Sequence, residues 1–238
     1  MCGRYALMSA AELVAELCGL SSLPPAIRRY NIAPTQRAPV VRQTDDGERR
    51  LDQLFWGLVP WWAKDPKIGT RMINARSETA AEKPAFREAL QRRRCLVPAD
   101  GFYEWRKREG GKQPHFIRRR DHGPLAFAGL WEGWRDGAGE SMESFTILTT
   151  RPNDLVAPLH DRMPVILDRD DFAAWLDPET HDTGAIRSLL GPCPADTLET
   201  HPVSRRVNFV DHDAPDCVTP VPPDDGFPRD PVQPSLFD

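Results

Sequence analysis

The chain has 238 residues, 40% hydrophobic and 28% charged, enough to bury a core without disulfides or metals and too apolar for wholesale disorder. Twenty-four prolines, about a tenth of the residues, count against an all-helical bundle, because each interior proline costs a helix roughly 3 kcal/mol. The net charge of −4 is uneven: residues 211–238 hold seven Asp and one Arg, a net of −6, so residues 1–210 carry +2 and any nucleic-acid-binding surface must be local.

In chain order, a first helix is expected after Ser9 as N-cap, with Glu12 in the capping-box position, Leu13 and Leu17 on one face and Gly19 as the stop. Further helices are expected over 84–93, from about 170 through 172–176, and over 183–190, the last ending at Gly191. Strand-like runs occupy 39–43, 50–57, 95–98, 101–106, 115–119, 125–131, 145–150 and 165–167, punctuated by Gly, Pro and Asp. There is no internal repeat and no βαβ alternation. The expectation is one α+β domain over 1–210, with a mainly antiparallel, bent, barrel-like sheet and flanking helices. An extended, acidic, Pro-rich tail follows over 211–238.

No run of 18 apolar residues is present for a membrane span, and MCGRYALMSA lacks the apolar stretch of an export signal. Five scattered cysteines without CxxC then fit free thiols in a reducing, cytoplasmic setting. The six His show no HxxxH and no close Cys/His set, so neither a metal nor a cofactor is expected.

Four places carry possible chemistry. Removal of Met1 before Cys2-Gly3 would leave an α-amine and a thiol on adjacent carbons, with ordinary pKa values of about 7.7–8.0 and 8.5. Such a 1,2-aminothiol condenses with an aldehyde to a Schiff base and closes to a thiazolidine; otherwise Cys2 is a small buried residue. Asn74 and Arg76, after the Trp61-Trp62 pair, offer donors for phosphate or sugar and rings for stacking on unpaired bases, or else form a Trp-rich core edge. Glu104, between Tyr103 and Trp105, is either a buried general acid or a solvent-facing strand residue. His160, with Asp161 and Arg162, is an acid/base beside a phosphate grip or a turn His held by Asp161. His201 is taken as a structural His at a strand end.

Together, Met1-Cys2-Gly3-Arg4-Tyr5, Arg29-Tyr30-Asn31-Ile32-Ala33-Pro34, Trp56-Gly57-Leu58-Val59-Pro60, the run Ile73 to Thr79, the run Arg94 to Trp105, His160-Asp161-Arg162-Met163-Pro164 and His201-Pro202-Val203-Ser204 resemble the SRAP (SOS-response-associated peptidase) family. The resemblance implies covalent capture of abasic sites in single-stranded DNA through Cys2. Asn74 would position the amine and the sugar, Glu104 would shuttle protons, and His160 would promote ring opening or reversal. Arg4, Arg76 and Arg162 would hold phosphates. Asn31, Pro34, Trp61 and Trp62 would line the strand channel, with Thr149 a further phosphate contact. Proteolysis, at least loss of Met1, is also implied. Residues 207–213 are acidic where the family tends to be basic, so 209–213 are expected to face away from the strand.

Met-Cys-Gly also opens class II glutamine amidotransferases, where the Cys attacks an amide. That reading expects an Asn-Gly pair, which this chain lacks. A non-covalent single-stranded DNA-binding module is the third alternative. An enclosed N-terminal site requires no second subunit, so a monomer is expected. In the tail, Gln233, Leu236 and Phe237 resemble the Gln-x-x-Leu-Phe peptide that docks on the bacterial sliding clamp, with the prolines as a semi-rigid tether; a terminal latch onto the domain is the alternative.

Overall fold

The computed structural model describes residues 2–44, 46–109, 111–180 and 183–222. In chain order its elements are β1 (Tyr5–Leu7), α1 (Ala11–Cys18), β2 (Arg29–Ile32), β3 (Arg37–Gln43), β4 (Arg49–Trp56), β5 (Asn74–Arg76), α2 (Arg87–Arg92), β6 (Arg94–Ala99), β7 (Gly101–Arg108), β8 (Gly111–Arg119), β9 (Leu125–Arg135), β10 (Ser141–Thr150), β11 (Met163–Pro164), β12 (Ile166–Leu167), α3 (Phe172–Leu176), α4 (Thr183–Ser188) and β13 (Leu198–Pro202). The expected α+β class is the one observed. Strands β10, β4, β3, β6 and β9 pair in sequence, and β9 pairs back to β10, closing a small barrel, with β5, β11 and β12 added along β10 and β9. Most pairings are antiparallel, but β10 runs parallel to both β4 and β5. No helix among the described residues is long and apolar enough to cross a membrane.

The barrel strands β6, β9 and β10 are buried over long unbroken runs, and large apolar groups fill the interior. Trp56 and Phe127 both meet the Tyr5 ring, at 5.2 and 5.9 Å, and the Trp56 indole donates to the Ile73 carbonyl at 2.8 Å. Each such fully buried side chain contributes roughly 1.5–3 kcal/mol. A second sheet, ordered β13-β8-β7-β1-β2, carries the chain start. Strand β1 lies between β7 and β2, and the Tyr103 N–H reaches the Arg4 carbonyl at 3.0 Å. This pairing brings residues 2–4 alongside β7.

Several expectations need correction. Ser9 does not cap α1: its hydroxyl and its N–H, together with the Met8 N–H, go to the carboxylate of Asp100, and Ala10 takes the cap position. Leu13 is exposed, while Val14 and Cys18 form the buried face; Gly19 does end the helix, at φ 65°. The helix expected over 84–93 is shorter, because the residues before Arg87 are in turns. The one expected over 183–190 stops at Ser188.

The boundary expected at 210 is not a packing boundary. Asp213 accepts from the Tyr30 and Asn31 N–H groups and pairs with Arg29. Cys217 is fully buried, and Val203 bridges Pro220. The ligand-type atoms of His212, Asp216 and Cys217 lie within 4.8 Å of one another, a grouping missed in the sequence. The clamp-type residues Gln233, Leu236 and Phe237 lie outside the described residues.

Candidate functional site

Cys2 sits just ahead of β1, wholly enclosed, and burial first and then the Glu104 charge push its thiol far above the usual range. Asn74, the first residue of β5, donates from Nδ2 to the Cys2 carbonyl at 2.8 Å, while its Oδ1 is buried without a partner among the described residues. The parallel pairing of β5 with β10 places that amide there. Glu104 on β7 is 2% exposed. Burial raises its carboxyl to about 7, and the charge of Asp161 pushes the same way.

His160 ends the turn over 153–160 and is only partly enclosed. Its Nδ1 accepts the Arg162 N–H at 2.9 Å, which leaves the proton of the neutral ring on Nε2. Asp161 also approaches Nδ1, at 2.9 Å. A nitrogen accepting from the backbone has no proton for it, so that contact favours only the protonated ring. Burial outweighs it and lowers the His160 pKa. Glu104 and His160 line an open cavity of about 1200 Å³, joined by Gly3, Arg4, Pro34 and Lys112.

The residues expected to touch DNA divide into two groups. Arg76 is exposed on β5, and Trp61 and Trp62 are 59% and 45% exposed. Their loop is tied at its base: Leu58 N–H bonds the Met72 carbonyl, Val59 N–H the Ser144 hydroxyl, and the Trp134 indole the Ala63 carbonyl. A 3-10 turn, Pro66–Arg71, presses Gly69 against Gly57. Pro34 lines the cavity beside Thr35, which has φ 68°.

The other group is internal. Asn31 is fully buried, with its amide N–H groups on the carbonyls of Val207, Phe209 and His212, so it holds the 207–212 segment and faces no channel. Arg4 gives Nη1 to Asn31 Oδ1 at 2.8 Å and the Val207 carbonyl at 2.7 Å, and only an edge reaches the cavity. Thr149 is 1% exposed and its hydroxyl bonds the Ala75 carbonyl. Arg162 is held bidentately by the Glu78 carboxylate, at 2.7 and 2.8 Å, and by the Thr149 carbonyl, so a carboxylate occupies the fork assigned to phosphate.

Residues 209–213 are mixed. Asp213 turns away onto β2, but Val210 lines the cavity. Lys107 and Lys112 also line it and were passed over in the sequence. The charge-rich β7–β8 hairpin was their only signal. His201 sits on β13 as expected, its Nε2 at 2.9 Å from the Val218 carbonyl.

The family described as SOS response associated peptidase (SRAP) matches residues 1–210. The chain is 41% identical over 222 residues to "Abasic site processing protein YoqW" of Bacillus subtilis, covering 92% of this chain and 99% of that protein. It is 34% identical over 229 residues to "Abasic site processing protein YedK" of Escherichia coli, covering 93% and 100%. A crystal structure of a protein from Bacteroides thetaiotaomicron superposes with a TM-score of 0.82 at 28% identity, covering 92% of this chain and all of that one. On the match over residues 1–210 and these full-length relatives, the chain belongs to the SRAP family.

Proposed function

We propose that this protein processes abasic sites by covalent capture in single-stranded DNA, with Cys2 as the crosslinking residue. The observation that carries this is the burial of Cys2 beside Glu104, under a cavity wide enough for a flipped-out sugar, with the Asn74 amide on the Cys2 carbonyl. The names of the relatives support the substrate.

Loss of Met1 frees the Cys2 amine; self-removal of Met1 accounts for the peptidase in the family description. The amine adds to the aldehyde carbon of the ring-opened abasic sugar. The resulting carbinolamine loses one water to give an imine. The sulfur then adds to the imine carbon as its proton leaves and the nitrogen gains one, giving a thiazolidine with a net loss of one water. A carboxyl held near 7 is suited to both transfers: it protonates the departing hydroxyl as the acid and takes the thiol proton as the base. A thiol held in its neutral form requires such a base at the closing step. The Nε2–H of His160 donates to the sugar ring oxygen during opening. Asn74 Oδ1, buried without a partner among the described residues, accepts from the freed amine. Exposed Arg76, Lys107 and Lys112 carry the phosphate contacts, and Trp61 and Trp62 stack on bases.

The test is a denaturing gel of the protein with an abasic oligonucleotide. A heat-stable shifted band is expected for the wild type and none for Cys2→Ala. Cys2→Ser forms an imine that survives only after borohydride reduction. A stable adduct in Cys2→Ala would overturn the assignment.

A further inference from the structure

His115 is a buried imidazole that the reaction above does not use. It is 7% exposed, and both ring nitrogens are buried without a hydrogen-bond partner among the described residues, an expensive arrangement in a fold. Its place on β8 explains what it can meet. In the β7–β8 pairing Phe102 faces Ile117, Tyr103 faces Phe116 and Glu104 faces His115. Phe102 and Ile117 belong to the main core; Tyr103 and Phe116 belong to a separate cluster on the other face. Strand alternation therefore puts His115 on the same face as Glu104, as its direct cross-strand neighbour, with Cβ atoms about 4.5–5.5 Å apart.

We propose that His115 is a positioning residue for Glu104: its ring nitrogens make no bond in the fold described here, and during the reaction the neutral imidazole offers an N–H to the carboxylate and a lone pair to the protonated carboxyl. This rests on the role given to Glu104 above. A group that must hold a proton at one step and lack it at the next needs a partner that bonds both forms. An Arg or Lys in that place would lock Glu104 charged, and an acid would lock it protonated. The surroundings keep the imidazole neutral. Burial first, then Arg106 and Arg108 on β7 and His201 on β13, lower its pKa to about 4. From β8 itself Gln113, directed to the Val203 carbonyl, adds no charge. The charged groups acting on Glu104 from elsewhere are the amino terminus, which favours the carboxylate, and Asp161, which disfavours it.

The full chain carrying His115→Phe, which keeps ring volume, and His115→Asn, which keeps a donor and an acceptor, is compared with wild type. Single-turnover crosslinking to an abasic oligonucleotide is followed from pH 5 to 9, with DNA binding measured separately by anisotropy. Losing the donor to the carboxylate raises the Glu104 pKa. His115→Phe is therefore expected to move the acid limb of the profile up by about one unit and to slow the reaction about tenfold below it, with binding unchanged. His115→Asn is expected to track the wild type. Unmoved profiles in both variants overturn the proposal, whether or not the rates fall. Should His115→Phe fail to fold, side-chain ¹⁵N NMR of the wild type decides: a His115 resonance that shifts as Glu104 titrates near pH 7 is expected, and an indifferent one overturns the proposal. If the wild type forms no crosslink, the function fails, and the NMR titration still judges His115.

Discussion

Glu104 carries a penalty that can be measured apart from catalysis. Its carboxyl stays protonated in the fold up to about pH 7, against an ordinary 4.5. Below pH 4.5 folded and unfolded chains both hold the proton, and there is no penalty. Between 4.5 and 7 only the unfolded chain gives it up, so stability falls as pH rises and then levels off, by on the order of 3 kcal/mol. Glu104→Gln removes that fall. Thermal melts should show the variant matching wild type near pH 4 and exceeding it by several degrees above pH 7, while crosslinking drops roughly 10²–10⁴-fold. Equal melting at both pH values would mean the carboxyl is not held protonated. Arg162 illustrates the opposite case: its guanidinium looked like a phosphate grip in sequence, yet Glu78 four residues beyond Asn74 already fills it.

At the scale of elements, the Trp61–Trp62 loop depends on the contact between Gly57 and Gly69. Gly57 has φ +138°, and a Cβ there would lie 2.6 Å from the Gly69 carbonyl oxygen; one on Gly69 would lie 2.5 Å from that of Gly57. Backbone meets backbone, so neither side can yield. Gly57→Ala should cost roughly 1–3 kcal/mol in a denaturant melt and weaken binding to single strands, and an unchanged midpoint would contradict the packing. Strands β3, β4 and β6 to β10 were legible because each alternates or runs apolar over several residues. Strands β1, β2, β5 and β11 were not: they hold two to four residues, too few for a period, and exist only through their neighbours. The same holds for the site. Cys2, Asn74, Glu104 and His160 stood out by chemistry, and the structure brings Cys2 to Asn74 and Glu104. For Asn31 and Thr149 an amide or hydroxyl reads alike in sequence whether it faces a ligand or the carbonyls of a segment far along the chain, and in the fold both bond such carbonyls.

For the whole molecule, residues 211–222 behave as part of the domain despite their acidic composition. A chain ending at Val210 loses the Asp213 bonds to β2, the buried Cys217 and the Pro220 bridge. It should melt roughly 10 °C lower by circular dichroism, the effect of several kcal/mol in a domain this size; an unchanged melt would make the segment a passive appendage. The same docking imposes an order in time. Arg4 and Asn31 are completed by the carbonyls of Val207, Phe209 and His212. At ~5–20 residues per second, those carbonyls are translated roughly 10–40 s after Cys2. The hold on Arg4, just ahead of β1, is therefore complete only after every barrel strand has been made.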